Sequence, residues 1–413
     1  LQKTVLENGI SVLSEQLPHF NSVSVGIWFK VGSRDERDGE KGICHFIEHT
    51  VFKGTKNRTA SQIVKEIEAV GGTINAFTTK EYVCFHARVL GKDLSLALSV
   101  LSDLVRDPLF DPEELEREKG VVIQEIKMTE DTPEEHVHEL FFKTFWKDHP
   151  LGFPIAGEES TVKAFTSEQV MEFYKRHFSP DRMIVVAAGS VEHEELLEMV
   201  VKELGTLQGR NGEVIRDSPK EVQSGVKSFK KDLEQVHLCL GVEGVSQTHS
   251  LRFPLLVLNT ILGGNMSSRL FQELREKRGL SYAVYSFLQS FTDSGVFGLY
   301  VGTTPQELSQ VLELIKEQWQ SLSRGEIKEE EVRLAKEYLK GGLLISLESP
   351  EGWMNRLAKN EIYYGREIKV EETLSAIESV DLKVLKEVGE AFLGKEPCAV
   401  FLGEVEENCS RLW

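Results

Sequence analysis

The chain predicts a two-domain α+β protein, each domain a largely antiparallel sheet packed with helices. Three observations carry this reading: strand-like and helical segments alternate, the same succession occurs twice, and a polar stretch separates the two runs. Val23–Phe29, Tyr82–Val89, Met183–Ala188, Val236–Leu240 and Val296–Val301 read as strands, being short, β-branched or aromatic runs. Leu94–Val105 and Leu308–Trp319 carry apolar residues at three- and four-residue steps and read as helices.

The repeat is visible in ordered matches. Ser22 to Ile27 (SVSVGI) answers to Gln235 to Leu240 (QVHLCL) at an offset of 213, and Leu94-Ser95 to Leu308-Ser309 at 214. Glu113-Glu114-Leu115 followed by Thr132-Pro133-Glu134 answers to Glu330-Glu331-Val332 followed by Ser349-Pro350-Glu351, both at 217. One domain is therefore built twice, over 1–212 and 227–413, with 213–226 as the linker inside a Gly-, Asn-, Ser- and Pro-containing stretch.

Composition narrows the function classes. With 413 residues, 40% of them hydrophobic, the chain can fill more than one core. Its 48 basic and 66 acidic residues leave a net charge of -18, which repels a phosphate backbone and argues against nucleic acid. The acidic balance either serves solubility or favours basic peptides. No run approaches the roughly 18 apolar residues of a membrane span, and Leu1 to Ile10 has no signal-peptide apolar stretch. The five cysteines, Cys44, Cys84, Cys239, Cys398 and Cys409, are scattered and odd in number, which suits reduced thiols. A bacterial cytoplasm is the expected location; the alternative is the mitochondrial matrix or another organelle interior, after removal of a targeting segment.

The chemistry concentrates at His45-Phe-Ile-Glu-His49. On a helix the two histidines lie about 40° apart around the axis and can share one metal ion. Glu48 lies on the same side, placed to take a proton from water at that metal. Zinc suits two neutral imidazoles plus a carboxylate, with a fourth position left for water. A third ligand is expected from a helix that starts at Asp111-Pro112-Glu113-Glu114, where Asp caps, Pro fits the first turn and the acids suit the positive end. Glu118 and Glu125 share a face of it, seven residues apart. One of the two can bind metal while the other orients a histidine.

His45 to His49, together with Arg117 to Glu125 (REKGVVIQE), closely resembles the pitrilysin and mitochondrial-processing-peptidase family of zinc peptidases, family M16. Gly71 to Glu81 (GGTINAFTTKE), His149 to Gly152 and Ser179 to Arg182 extend the likeness over nearly the whole chain. The resemblance implies that His45, His49 and Glu125 bind one Zn2+ per chain, that Glu48 is the general base and that Glu118 is a supporting carboxylate. It implies a clamshell of two halves and an extended peptide added as a strand along Asn75, Ala76 and Phe77. At the repeat offsets His45 corresponds to Leu258, His49 to Leu262 and Glu125 to Gly342, so no second metal site forms. The second half brings Arg275 and Tyr282, which in the resembled family face the zinc and hold the substrate backbone and oxyanion.

A zinc-dependent endopeptidase acting on extended peptides or unfolded segments is the resulting expectation, working as a homodimer or with a related subunit. The alternatives are the catalytic subunit of a heteromeric processing peptidase and a non-catalytic core or scaffold subunit. His136 and His138, two apart on a helix, point too far apart to share an ion. The other histidines have no partner at ligand spacing, and Cys44 reads as a small core residue.

Overall fold

The computed structural model describes residues 1–209 and 216–405. Cys409 and the first part of the 213–226 linker lie outside them. Two compact units emerge, the first from Leu1–Met128, Phe153–Arg216 and Leu344–Glu367, the second from Thr129–Gly152, Asp217–Leu343 and the chain from Ile368 onward.

The first unit holds a six-stranded sheet of β1 (Gln2–Val5), β2 (Ser11–Gln16), β3 (Ser22–Phe29), β4 (Thr73–Thr78), β5 (Val83–Leu90) and β6 (Met183–Gly189). Its order is β1-β2-β6-β3-β5-β4, antiparallel except for the β2–β6 pair. β3 shows why both faces are buried. Val23, Val25, Ile27 and Phe29 point into one core with Leu98 and Leu101 of helix Leu94–Arg106, while Trp28 points to the other face and packs near Met354 and Leu357 of helix Pro350–Tyr364.

The second unit holds β7 (Gly225–Phe229), β8 (Val236–Glu243), β9 (Ala283–Ser290), β10 (Gly295–Thr303) and β11 (Cys398–Leu402), in the order β7-β11-β8-β10-β9. Only β7–β11 is parallel. Strand for strand this is the β2-β6-β3-β5-β4 succession of the first sheet, so the α+β duplication read from the residues holds at the level of topology. The expected helices run Leu94–Arg106 and Leu308–Ser323, each slightly longer than its periodic core.

The units do not follow the sequence halves throughout. Helix Pro133–Phe145, in the first half, lays Val137, Phe141 and Phe145 on Cys239, Tyr300 and Val400 of the second sheet. Its repeat partner, helix Pro350–Tyr364, covers the first sheet. Division at 1–212 and 227–413 therefore assigns each of these helices to the other's unit. Offsets reveal the order of elements, whereas unit membership depends on which sheet an apolar helix face covers.

Arg216 closes the first unit's run of chain with a buried ionic cluster. Its guanidinium forks onto Asp35, at 2.9 and 2.8 Å, and donates to the Glu81 carbonyl at 2.7 Å; Arg34 reaches the Glu81 carboxylate at 2.8 Å. Removing one partner leaves buried charge uncompensated, so Arg216→Ala is expected to lower the stability of this unit by about 3 kcal/mol in urea titrations. A change within 0.5 kcal/mol, roughly the level of an ordinary surface substitution, would contradict this.

Cys44, Cys84, Cys239 and Cys398 are buried free thiols. Among the described residues no helix is long and apolar enough to cross a membrane.

Candidate metal centre

The first two histidines stand on helix Ile43–Val51, whose start is built by backbone constraints. Gly42 has a left-handed φ of 91°, and a Cβ there would lie 2.5 Å from the Ala156 carbonyl oxygen. The Glu36 carboxylate accepts the Gly42 N–H at 2.8 Å and the Cys44 N–H at 2.9 Å, satisfying donors at the positive end of the helix. Burial pushes the Glu36 pKa up to about 8, and these two backbone bonds oppose the shift. Ile43, Cys44, Phe46, Ile47, Thr50 and Val51 are buried, which leaves His45 and His49 together on the remaining face. Their rings lie 4.6 Å apart, edge to face. Cys44 packs in the core with its thiol pushed well up by burial, as its reading as a core residue requires.

The carboxylates come from helix Pro112–Asp131. As expected, Asp111 caps it, accepting the N–H groups of Glu113 at 2.9 Å and Glu114 at 3.2 Å. Glu118 and Glu125 both turn toward the histidines, and their positions separate them. Glu118 Oε1 meets His49 Nδ1 at 3.0 Å, and its other oxygen meets Lys53 Nζ at 2.7 Å. Glu125 Oε2 lies 3.6 Å from His45 Nε2 and 3.4 Å from His49 Nε2.

Those distances allow a test of fit. Tetrahedral zinc with bonds of about 2.0 to 2.2 Å places neighbouring ligand atoms roughly 3.3 to 3.6 Å apart. The carboxylate-to-imidazole separations match, and all three candidate atoms lie within 4.8 Å of one another. Among the described residues no other trio of His, Cys, Asp or Glu converges in this way. At His45 the electrostatics agree with the donor set. Burial, helped by the neighbouring His49, lowers the His45 pKa to about 4 and keeps the ring neutral, as a ligand must be. Burial opposes charge on His49 too, but Glu118 and the surrounding carboxylates outweigh it and raise its pKa. Glu118 is shifted down by its bonds to His49 and Lys53 against the opposing effect of burial.

Glu48 sits on the same helix, its Oε2 accepting the Thr78 hydroxyl at 2.6 Å. Burial raises its pKa, and the Thr78 bond partly offsets the rise. Thr78 ends β4, the terminal strand of its sheet, and Asn75, Ala76 and Phe77 lie on that edge strand. Asn75 Oδ1 accepts the Ala76 N–H at 2.8 Å, and Phe77 packs edge-on against Trp28.

Arg275 and Tyr282 belong to the second unit. The Arg275 guanidinium lies over the Phe271 ring at 4.9 Å and the Tyr282 ring at 4.7 Å, and Tyr282 is 79% exposed. At the positions answering to His45 and His49, Leu258 and Leu262 are fully buried core residues. His138, His193 and His237 pack against hydroxyls of Tyr285, Ser14 and Tyr300, as histidines without ligand spacing should. Thr78, Lys53 and Glu36 received no role from the sequence.

The family models settle the relationship. Residues 11–159 match the model described as Insulinase (Peptidase family M16), and residues 164–339 match the one described as Peptidase M16 inactive domain. This chain belongs to peptidase family M16. The M16 chain is 38% identical to an uncharacterized zinc protease of Streptomyces coelicolor over 100% of its own length and 92% of that protein. It is also 38% identical to the uncharacterized zinc protease YmxG of Bacillus subtilis, over 93% of each chain. Its fold matches the crystal structure of a protease from Helicobacter pylori with a TM-score of 0.91 at 24% identity, covering 98% of this chain and 99% of the other. A peptidase M16 inactive domain structure from Pseudomonas fluorescens matches with a TM-score of 0.90 at 18% identity, covering 98% of both.

Proposed function

We propose that this M16 chain is a zinc-dependent endopeptidase that cuts extended peptides or unfolded polypeptide segments, with one zinc per chain. The observation that carries the reading is the convergence of His45 Nε2, His49 Nε2 and Glu125 Oε2, with Glu48 on the same helix as the histidines. Zinc bound there supplies the Lewis acidity that polarises a scissile carbonyl and makes water nucleophilic near neutral pH. Glu48 takes the proton from the attacking water and returns it to the leaving amine. Glu118 holds the His49 ring through Nδ1, and Lys53 holds Glu118. The peptide pairs with the β4 edge at Asn75, Ala76 and Phe77, a mode of binding that makes little demand on sequence. Arg275 and Tyr282 hold the substrate backbone and the developing oxyanion.

The test is zinc content and hydrolysis of a mixed peptide pool, with and without chelator. One zinc per chain, cleavage abolished by chelation and cleavage restored by zinc are expected. Cleavage that persists in chelator would refute the reading. The catalytic assembly is a homodimer or a pair with a related subunit, in which Arg275 and Tyr282 serve the zinc of the partner. Mixing Glu48→Gln chains with Arg275→Ala chains checks that arrangement: mixed dimers should exceed both parents in activity, and mixed dimers that never do so exclude it. A purely scaffolding subunit has no need of these residues, all of which this chain retains.

Thr78 offers a pH test. Its hydrogen bond favours ionised Glu48, so Thr78→Val raises the Glu48 pKa further. The acid limb of the kcat/KM profile then moves to higher pH by about one unit. An unmoved limb would mean that Thr78 does not hold Glu48 in the working enzyme.

A further inference from the structure

β4 is an edge strand, and its main-chain groups alternate between β5 and the open side. The Thr79 N–H donates to the Tyr82 carbonyl at 2.9 Å, which makes these two a hydrogen-bonded pair of the hairpin. Counting back along the register, Phe77 and Asn75 turn their main-chain groups to Cys84 and His86, whereas Ile74, Ala76 and Thr78 direct theirs outward. Of Asn75, Ala76 and Phe77, only Ala76 therefore offers main-chain groups to an added strand. Its N–H is already engaged, donating to Asn75 Oδ1 at 2.8 Å.

The second sheet closes the same place differently. Ala76 lies in register with Phe85 and Ile27, as Ser286 does with Leu299 and Leu240, and Leu240 answers to Ile27 at the 213 offset. The Ser286 N–H also points outward, and it donates to the Gly263 carbonyl at 3.1 Å. A Cβ on Gly263 would lie 2.5 Å from that nitrogen, so glycine is what lets the chain close on this edge. At the same offset Gly263 answers to Thr50, whose carbonyl accepts the Lys53 N–H at 3.1 Å instead. Main chain thus holds the edge donor in the metal-less repeat. In the repeat with the histidines, the exposed Asn75 side chain holds it.

We propose that Asn75 is a displaceable cap on the substrate strand: its side chain holds the Ala76 N–H until the carbonyl of an extended peptide takes that donor. The inference rests on the peptidase reading above and adds a control on peptide entry to it. An unpaired edge donor invites pairing with any strand, and a capped one blunts that tendency. The bond to Oδ1 is local and exposed, so a change of the Asn75 rotamer releases it into water. A peptide has to compete with this acceptor, which weakens binding without touching the chemical step. Asn75 is then a positioning residue whose side chain opposes the substrate, the reverse of a contact that holds it.

Two variants test it: Asn75→Ala, which removes the acceptor, and Asn75→Asp, which keeps its shape and makes it a stronger, charged one. Amide exchange on the peptide-free protein, read by mass spectrometry, reports the cap with no turnover involved. After correction for intrinsic rates, the Ala76 amide should exchange about fivefold faster in Asn75→Ala, while the Ser286 amide, held by main chain, stays as it is. At equal zinc content, KM for an extended peptide should fall about fivefold in Asn75→Ala and rise in Asn75→Asp, the effect lying in KM rather than kcat. A KM that rises in Asn75→Ala would make the side chain a substrate contact and overturn the cap. Unchanged exchange, or an unchanged KM in an active Asn75→Ala enzyme, also overturns it and leaves the peptidase reading standing. A wild-type enzyme with no zinc-dependent cleavage overturns both.

Discussion

Glu48→Gln is expected to retain zinc and to lose about a thousandfold in kcat, the usual magnitude when a general base is removed. Glutamine keeps the length of the side chain, and its carbonyl can still accept the Thr78 hydroxyl that holds Glu48 at 2.6 Å. The three converging donor atoms are untouched, because Glu48 is not among them. What disappears is the capacity to take a proton, and burial has raised the Glu48 pKa toward the working pH where that capacity is most effective. Metal analysis and steady-state kinetics on one preparation decide the matter. A variant within tenfold of wild type would remove Glu48 from the chemistry, and loss of zinc would give it a structural role instead.

Glu125→Ala should have the other large effect, with zinc almost absent from the purified chain and turnover down by at least about a thousandfold. Two imidazoles alone are a poor site for an ion that in catalytic centres takes three protein ligands. The Glu125 side chain is half-exposed, so its removal should leave the far-UV circular dichroism unchanged and separate metal loss from unfolding. Glu118→Gln provides the contrast. It loosens the His49 ring without removing a donor, and the expected loss of metal affinity is about 10- to 100-fold. Zinc should also raise the melting temperature of wild type and leave that of Glu125→Ala unmoved, since a ligand stabilises only the state that binds it. Full zinc occupancy in Glu125→Ala would contradict the assignment of this carboxylate.

Where residue order was enough, the reason is locality. The four-residue step from His45 to His49 is geometry internal to one helix, and the Asp111 cap is geometry internal to its first turn. The duplication was equally legible, because each half repeats the same succession of patterned segments and the sheets inherit the same strand order. The loss of the donors in the second half followed directly, and Leu258 and Leu262 are indeed core residues.

Other features stayed hidden because they depend on where distant segments come to rest. Helical spacing alone leaves Glu118 and Glu125 equivalent, and only the family resemblance told them apart before the structure; in it one meets His49 Nδ1 and Lys53 while the other lies near the Nε2 atoms of both rings. Thr78 reaches Glu48 across 30 residues, through the approach of β4 to the histidine helix. The two helices that cover each other's sheets are likewise invisible to an offset. Periodicity shows that a helix has an apolar face, but which sheet buries that face depends on packing over long separations in the chain.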